Sequence, residues 1–376
     1  MSFKVPFIRP VFPDAEIIAA DMRRIVKANW YTNFGPYERN FSNAVASFIG
    51  EEFHAATFAN ATLGLMAVIS AGLGRGDKSR FILVPSFTFA AGPQAIDWCG
   101  YRPLFVDIEP DGLQPDLDSA RRALSEHGKD VAGILLCNTF GIGNVSVDAW
   151  ERLAEESGLE IFIDSAAGFG SAYADGSRVG RAGHCEVFSF HATKPFAVGE
   201  GGAVVSRDAE FIARLRSFQN FGFSPSGAGA TVRGLNGKMQ EVNAAIGLRQ
   251  FEGFEAAISS RQLVASTYEA ELAGSFFQFP AGMARSAVCF ATARVPTHEI
   301  QVRVLGELRE AGIEARSYYS PAVHDQEYFR DTISSGSLVE TQRAVSTSIS
   351  LPVHQQMDAG DVDLVISTLR KAAGLI

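Results

Sequence analysis

The middle of the chain alternates short apolar runs with stretches of helical spacing. Six of these runs predict β-strands, over residues 81–85, 103–108, 131–137, 160–163, 185–190 and 201–206. Most of them contain too few polar residues for either face to meet water, which is typical of strands covered by helices on both sides. The pattern therefore predicts the α/β class, with one large sheet buried under helices.

The clearest helical pattern precedes the first apolar run, over residues 60–72. Asn60 or Thr62 is a suitable cap at its start, and Gly72 is a suitable end. The glycines of 72–76 follow a helix instead of a strand, so they do not match a dinucleotide-binding fingerprint and are interpreted as a turn.

The last third of the chain has a different organisation. A helix is predicted over 298–311, with Thr297 as its N-cap and Gly312 just past its end, and a second over 360–372. Residues 313–319 between them read as a strand, which together predicts a small α+β domain. A long helical stretch over 240–272 is expected to link the two parts. The glycine-rich segment 223–236 is a loop long enough to suggest a function.

Composition and charge narrow the possible partners. The chain has 376 residues, with 33 Lys and Arg against 42 Asp and Glu, and a net charge of −9. Proteins that bind nucleic acids usually carry a basic surface, so nucleic acid is not expected as a partner. No run reaches about 18 apolar residues and the N-terminus lacks a signal sequence, so no membrane association and a cytoplasmic location are expected. The four cysteines form no CxxC pair, and no metal site is predicted.

The segment 185–206 carries the strongest chemical signal. Lys194 lies between two apolar runs, where a charged amine is costly unless it has a function. A lysine in such a place is able to form a Schiff base with an aldehyde cofactor. Ser189, five residues earlier, could donate a hydrogen bond to a phosphate. These two residues favour a pyridoxal phosphate site.

Three further features fit the same cofactor. Asp164 directly follows the run 160–163, and a carboxylate there would keep a pyridine nitrogen protonated, although taken alone it could equally be a helix cap. The helix that begins at Asn60, Ala61 and Thr62 offers free amides to a phosphate. Phe89 could stack on a flat ring, although most phenylalanines of the chain must belong to its core.

The order of these segments resembles the DegT/DnrJ/EryC1/StrS family of sugar aminotransferases, which use pyridoxal phosphate. The resemblance extends over nearly the whole chain and rests on ten segments in the family's order: VPFIRP, WYTNFGPYERNF, NATLGLMAV, VPSFTFAAGPQAI, YRPLFVDIEPDGLQPD, FIDSAAGFGSAY, FSFHATKPFAVGEGGAVVS, GLNGKMQEVNAAIGLRQ, ARSYYSPAVH and SLPVH. It implies the type I aspartate aminotransferase fold, with a large, mostly parallel sheet domain over 1–250 and a smaller C-terminal α+β domain over 251–376.

The resemblance also implies roles for single residues. Lys194 corresponds to the Schiff-base lysine and Asp164 to the partner of the pyridine nitrogen. Phe89 corresponds to the stacking aromatic ring. The phosphate site corresponds to Ala61, Thr62 and Ser189 of one chain, and to Asn236 of the other subunit, which implies a homodimer with shared active sites.

The sequence departs from the family pattern at three positions. Ala167 stands where many relatives have the His or Gln that holds the ring oxygen, and Asn138 is the residue we expect to replace it. Ala61 stands in place of a glycine. Lys238 stands in place of an arginine, which keeps the charge but loses the bidentate geometry.

The implied reaction transfers the amino group of L-glutamate to a keto-sugar nucleotide. The resemblance is strongest to relatives that aminate C4 of dTDP-4-keto-6-deoxyglucose to give dTDP-4-amino-4,6-dideoxyglucose for cell-surface glycans of the O-antigen type. Amination at C3, a GDP- or UDP-sugar substrate, a dehydratase and a regulatory pyridoxal phosphate protein are the alternatives. The candidates for contacts to the diphosphate and the sugar are Arg9, Arg233, Lys238, Arg316, Tyr31, Tyr318, Tyr319 and His324.

Overall fold

The computed structural model describes residues 3–224, 227 and 229–375. These residues form two β-sheets. The strands of the large sheet are β1 (His54–Phe58), β2 (Phe81–Pro85), β3 (Arg102–Val106), β4 (Val131–Cys137), β5 (Glu160–Asp164), β6 (Cys185–Ser189) and β7 (Gly202–Ser206). The small sheet consists of β8 (Phe290–Arg294) and β9 (Ser348–Pro352).

The large sheet has the strand order β1-β7-β6-β5-β4-β2-β3. Strands β2 to β6 pair in parallel, whereas β7 runs antiparallel to both β1 and β6. The carboxyl ends of the parallel strands therefore meet at one edge of the sheet, together with the end of β1 and the start of β7. This edge is where an α/β sheet usually binds its ligand.

Helices cover the sheet on both faces. Their bounds are α1 (Ala15–Ala28), α2 (Pro36–Ile49), α3 (Ala61–Leu73), α4 (Ala91–Trp98), α5 (Leu117–His127), α6 (Val147–Ser157), α7 (Ala209–Phe218), α8 (Glu241–Phe251), α9 (Phe254–Glu271), α10 (His298–Glu310), α11 (Val339–Thr347) and α12 (Ala359–Ala372). Side chains of α2, α6 and α8 pack into the core on one face, and those of α3, α4 and α7 pack into the core on the other. The burial of both faces explains why the strands contain so few polar residues.

Helix α3 begins where the sequence predicted. The Asn60 side chain accepts a hydrogen bond from the Leu63 N–H at 3.0 Å, so Asn60, and not Thr62, is the N-cap. The helix continues through Gly72 to Leu73, and Gly74 supplies the left-handed residue that ends it. The predicted end at Gly72 is therefore wrong by one residue.

The small sheet packs against α10 and α12 around its own apolar core. Thr297 caps α10 as predicted, because its side chain accepts from the Ile300 N–H. The N-terminal segment reaches this part of the molecule, since Val5 lies in the same core and forms a bridge with Ile313. The division of the chain at residue 250 stays a prediction.

Two sequence interpretations are wrong. Residues 313–319 form no strand: Ile313 and Arg316 each make a single bridge, to Val5 and to Ser350, before the chain turns. The stretch 240–272 is two helices, α8 and α9, because the chain turns at Glu252 and Gly253. Strands β1, β8 and β9 were not predicted, since each contains small or polar residues that break the apolar pattern.

None of the helices in the described part of the chain combines the length and apolar composition needed to cross a bilayer. Within the same residues, no three His, Cys, Asp or Glu side chains lie where they could hold one metal ion.

Candidate active site

Asp164 ends β5 at the carboxyl edge of the large sheet. Its side chain is buried, with 7% of the residue exposed, and Oδ1 accepts a hydrogen bond from the Ala166 N–H at 3.0 Å. Burial raises the pKa of Asp164, while the Ala166 N–H and the positive charge of Lys194 act in the opposite direction. A buried carboxylate that faces one lysine is suited to hold a positively charged N–H group of a ligand.

Lys194 lies in the turn that follows β6. The turn is closed by a hydrogen bond from the Lys194 N–H to the His191 carbonyl at 2.9 Å, and the side chain is half-buried. Among the residues that the structure describes, no carboxylate forms an ion pair with its amine. Its charge acts instead on Asp164 and on the buried thiol of Cys137. The amine is therefore free to react or to carry a proton.

The N-terminus of α3 forms the third part of the site. The N–H groups of Ala61 and Thr62 have no acceptor among the described residues, because the Asn60 side chain caps Leu63 instead. Gly202, the first residue of β7, lies so close that a Cβ there would be 2.7 Å from the Ala61 nitrogen. Ser189 pairs with Gly202 across the ladder. Two free amides and a neighbouring hydroxyl at a helix N-terminus form a site for a phosphate group.

An aromatic ring lies beside this edge. Phe89, between β2 and α4, is 65% exposed although it lies within a largely apolar segment. In the first turn of α4, a Cβ added to Gly92 would lie 3.8 Å from Oδ2 of Asp164, so this turn and the carboxylate are neighbours. The Phe89 ring is thus available to a flat ligand whose edge reaches Asp164.

These four features fit pyridoxal phosphate. The free amides of α3 suit its phosphate, the buried Asp164 carboxylate suits its pyridine nitrogen, and the exposed Phe89 ring suits its face. The unpaired amine of Lys194 suits its aldehyde. Each of these residues was predicted from the sequence, and their common location at one sheet edge is what the fold adds.

Asn138 does not have the predicted role. Its Nδ2 donates to Ser165 Oγ at 2.8 Å and to Tyr173 Oη at 3.1 Å, and its Oδ1 accepts from the Asn144 N–H at 2.9 Å. Both amide protons are used inside the protein, so Asn138 has no donor left for a ring oxygen of the cofactor. Asn138 therefore does not replace the His or Gln that many relatives have at the position of Ala167.

Tyr319 and Tyr318 lie close to this edge. The Tyr319 ring stacks on Phe140, with 5.1 Å between centroids, and burial raises the pKa of Tyr319 well above its usual value. The charge of Asp164 acts in the same direction, which places the phenol near the carboxylate. Tyr318 packs edge-on against Phe7 and accepts a hydrogen bond from Arg316 at 2.8 Å.

His324 is already paired with neighbouring side chains. Its Nδ1 shares a hydrogen bond with Ser86 Oγ at 2.6 Å, and its Nε2 shares one with the Gln342 amide at 2.8 Å. Both ring nitrogens are used, so the predicted sugar contact by His324 is not available in this arrangement. Arg316 is partly committed too, since Nη2 donates to Glu314 Oε1 at 2.9 Å.

Among the remaining predicted contacts, Asn236 and Lys238 flank Gly237, whose carbonyl accepts from the Ala59 N–H at 2.8 Å, close to the start of α3. Lys238 is buried, with its Nζ 3.2 Å from Asn220 Oδ1 and over the Phe221 ring, and burial lowers the pKa of Lys238. Arg233 lines a cleft of about 650 Å³ together with residues of the last turn of α3 and of α7. The other three, Arg9, Tyr31 and Asn236, are exposed.

Sequence reasoning missed four buried carboxylates, Asp21, Glu38, Glu186 and Glu241. Glu186 lies inside the apolar strand β6 with 0% exposure, and Glu241 begins α8 with 1% exposure. Glu241 accepts the N–H groups of Tyr37 and Glu38 at 2.9 Å each, and so caps α2, whose own N-cap Gly35 has no side chain. The signal for Glu186 was present, since a carboxylate within a fully apolar run is costly unless it is hydrogen-bonded.

The chain belongs to the DegT/DnrJ/EryC1/StrS aminotransferase family, whose model matches residues 14–370. The protein Rv3402c of Mycobacterium tuberculosis is 45% identical over 372 residues, covering 98% of this chain and 90% of the relative. The dTDP-4-amino-4,6-dideoxy-D-glucose transaminase of Escherichia coli is 26% identical, covering 94% of this chain and 95% of the relative. The predicted family is thereby confirmed.

A solved structure supports the same conclusion. DesI, solved in the presence of its TDP-sugar product, is 32% identical to this chain, with a TM-score of 0.88, and the match covers 99% of this chain and 94% of that one. The protein is an aminotransferase of this family that depends on pyridoxal phosphate, and its α/β fold with a second, smaller sheet is the predicted one.

Proposed function

We propose that this enzyme transfers the amino group of L-glutamate to the C4 keto group of a dTDP-4-keto-6-deoxyhexose, giving dTDP-4-amino-4,6-dideoxyglucose. The amino-transfer part rests on one observation above all: the Lys194 amine has no carboxylate partner among the described residues, and its charge acts on the buried Asp164 carboxylate. The sugar part rests on the likeness to DesI and to the Escherichia coli transaminase.

Lys194 and Asp164 divide the proton chemistry between them. Bound pyridoxal phosphate supplies an electron sink for the charge left when a proton leaves the amino donor. Lys194 Nζ would remove that proton from Cα of the donor and return it at C4′ of the cofactor. Asp164 would hold the proton on the ring nitrogen, because among the described residues the Ala166 N–H is the only donor to its buried carboxylate.

The phosphate and the ring face are held by groups that stay fixed during the reaction. The Ala61 and Thr62 N–H groups and the Ser189 hydroxyl bind the phosphate, and the positive end of the α3 dipole favours its charge. Phe89 covers one face of the ring. Proton transfer by a positioned side chain, here Lys194, contributes about 10²–10⁴-fold in rate.

The site is shared between two chains in this proposal. We assign the exposed residues Asn236 and Arg233 of the 223–236 segment to the neighbour's site, which the family resemblance implies for Asn236. Lys238, held against Asn220 and Phe221, stiffens the base of that loop. Arg9, Tyr31, Arg316, Tyr318 and Tyr319 remain the candidates for the sugar nucleotide.

The first test follows the visible absorption of the purified enzyme. L-Glutamate should bleach the bound cofactor of the wild type, and Lys194→Ala should keep its spectrum, because no group is left to move the proton. A bleached Lys194→Ala variant would overturn the role of Lys194. A wild type that ignores glutamate but responds to another amino acid would overturn only the donor.

The second test identifies the acceptor. The glutamate-treated enzyme is mixed, in a single turnover, with 4-keto-6-deoxy and 3-keto-6-deoxy sugars as their dTDP, UDP and GDP derivatives. The proposal expects the yellow form to return fastest with dTDP-4-keto-6-deoxyglucose. A faster return with a 3-keto sugar or with another nucleotide would overturn the proposed substrate and identify the faster-reacting compound as the acceptor.

A further inference from the structure

Glu186 is the centre of a buried hydrogen-bond network that the reaction above does not use. One carboxylate oxygen accepts from the Gly180 N–H at 2.6 Å, the Ala182 N–H at 2.9 Å and the Tyr173 hydroxyl at 2.9 Å. The other accepts from the Ser165 hydroxyl and, at 3.4 Å, from Asn138 Nδ2. Five donors converge on one side chain that has no exposure to water.

The network lies on the opposite face of the sheet from the cofactor site. Glu186 pairs with Ile163 and Val187 pairs with Asp164, and successive side chains of a strand point to opposite faces. Glu186 is therefore unable to touch the cofactor, and any effect on it must pass through neighbouring residues.

Two of the five donors flank Asp164. Ser165 directly follows Asp164, and its N–H donates to the Val187 carbonyl at 2.9 Å. The Asn138 N–H donates to the Asp164 carbonyl at 3.0 Å. Glu186 thus holds the side chains of Ser165 and Asn138. The backbones of these two residues fix the carboxyl end of β5, from which the side chain of Asp164 projects.

Packing alone does not explain a carboxylate in this strand. A buried carboxylate costs several kcal/mol to desolvate, and apolar residues of similar volume usually serve stability as well or better. An apolar side chain would leave the Ser165 and Tyr173 hydroxyls without an acceptor and free to turn, and these two hydroxyls are the acceptors that hold Asn138 Nδ2. The network therefore contributes a fixed orientation of the strand ends.

We propose that Glu186 is a positioning residue for the cofactor ring, because through Ser165 and Asn138 it fixes the place from which Asp164 reaches the pyridine nitrogen. The inference rests on the role proposed for Asp164. It does not depend on which sugar is the acceptor.

The test measures binding of 4-deoxypyridoxine 5′-phosphate by calorimetry, because this cofactor analogue has no aldehyde and reports the ring and phosphate contacts without the bond to Lys194. Glu186→Gln and Ser165→Ala should each weaken its affinity about tenfold, which is the loss of about 1.4 kcal/mol expected when a charge-assisted hydrogen bond is misplaced. Binding of inorganic phosphate should not change.

Thr57→Val is the matched control. It removes a hydroxyl that donates to a different buried carboxylate, Glu38, at 2.6 Å and that has no bond to Ser165 or Asn138. It should lower the melting temperature as much as Ser165→Ala does and leave analogue affinity within about twofold. Equal loss of affinity in both variants would mean a structural role only and would overturn the inference.

Asp164→Ala separates the two claims. Unimpaired binding of the analogue to this variant would overturn the role of Asp164, and the inference with it. If Asp164→Ala binds the analogue poorly while Glu186→Gln and Ser165→Ala both bind it as wild type does, the role of Asp164 stands and the inference about Glu186 is overturned.

Discussion

Gly202 is the position at which one methyl group should disturb the phosphate site most directly. In Gly202→Ala the new Cβ would lie 2.7 Å from the Ala61 nitrogen and 2.8 Å from the Asn60 carbonyl carbon, where ordinary contacts begin at 3.4 Å. The atoms met are backbone, and they belong to the first turn of a helix. The start of α3 must therefore retreat by about 0.7 Å, the difference between these two distances.

That displacement is enough to break hydrogen bonds to a phosphate. An N–H···O bond of about 2.9 Å lengthened by this amount is about 3.6 Å and no longer a hydrogen bond. Losing one charge-assisted bond costs about 1.5–3 kcal/mol. Cofactor affinity should therefore fall by about 10- to 100-fold, as measured by equilibrium titration of the apoenzyme with pyridoxal phosphate.

Gly201→Ala is the adjacent control for this substitution. Its Cβ would meet the side-chain atoms Val198 Cγ2 at 2.7 Å and Met239 Cε at 3.0 Å, which are able to move. It should lower the melting temperature and leave the cofactor affinity within about twofold of wild type. Wild-type affinity in a folded Gly202→Ala variant would refute the assignment of the phosphate to the start of α3.

Three further predictions concern stability. Burial raises the pKa of Glu38 above its ordinary 4.5, so the folded state holds this proton more tightly than the unfolded state does. Wild type therefore loses stability as the pH rises from 4.5 through the raised pKa of the folded state, and Glu38→Gln should gain melting temperature relative to wild type over that rise. Arg249→Leu removes one of three side chains that donate to buried Asp21, at 2.8 Å, and leaves Arg24 and Tyr37 in place; it should lower the unfolding free energy in urea by about 1.5 kcal/mol at pH 7. Because Arg249 lowers the pKa of Asp21, this loss should shrink below about pH 4. Gly306→Ala, on the exposed side of α10 with no atom within 4 Å of the new Cβ, should raise the unfolding free energy by about 0.5–1 kcal/mol.

Each of these predictions has a result that contradicts it. A melting-temperature difference between Glu38→Gln and wild type that is the same at every pH would mean that Glu38 does not titrate differently in the folded state. An Arg249→Leu loss that persists unchanged at pH 3.5 would assign the effect to packing of the arginine stem. A destabilised Gly306→Ala variant would mean that α10 contacts another surface there.

The sequence was most informative where one physical requirement dominates. Six of the seven strands of the large sheet were predicted, because burial on both faces leaves an almost continuous apolar run. Strand β1, with the sequence His-Ala-Ala-Thr-Phe, lacks such a run and was missed. In 313–319 an apparently strand-forming sequence makes only isolated bridges, because strand formation needs a neighbour with free hydrogen-bonding groups.

The site residues divide in the same way, into those that a local pattern predicts and those whose role depends on partners distant in the chain. Lys194 and Asp164 were identified because a charged group within or directly after an apolar run is costly without a function. Asn138 was misread, because an amide at a strand end is able to face either side, and only the positions of Ser165, Tyr173 and Asn144 decide which. His324 was misread for the same reason, since its partner Ser86 is 238 residues away.

The sequence by itself determined the α/β class, and it predicted the cofactor chemistry of Lys194 and Asp164 and the helix N-terminus for a phosphate. These follow from local patterns, in which burial and charge act on residues close together in the chain. Only the tertiary structure decided that β7 runs antiparallel and brings Gly202 against Ala61, and that Glu186 stands behind Asp164. Such contacts join residues that are distant in sequence, and their geometry depends on strand order and register, which local patterns do not specify.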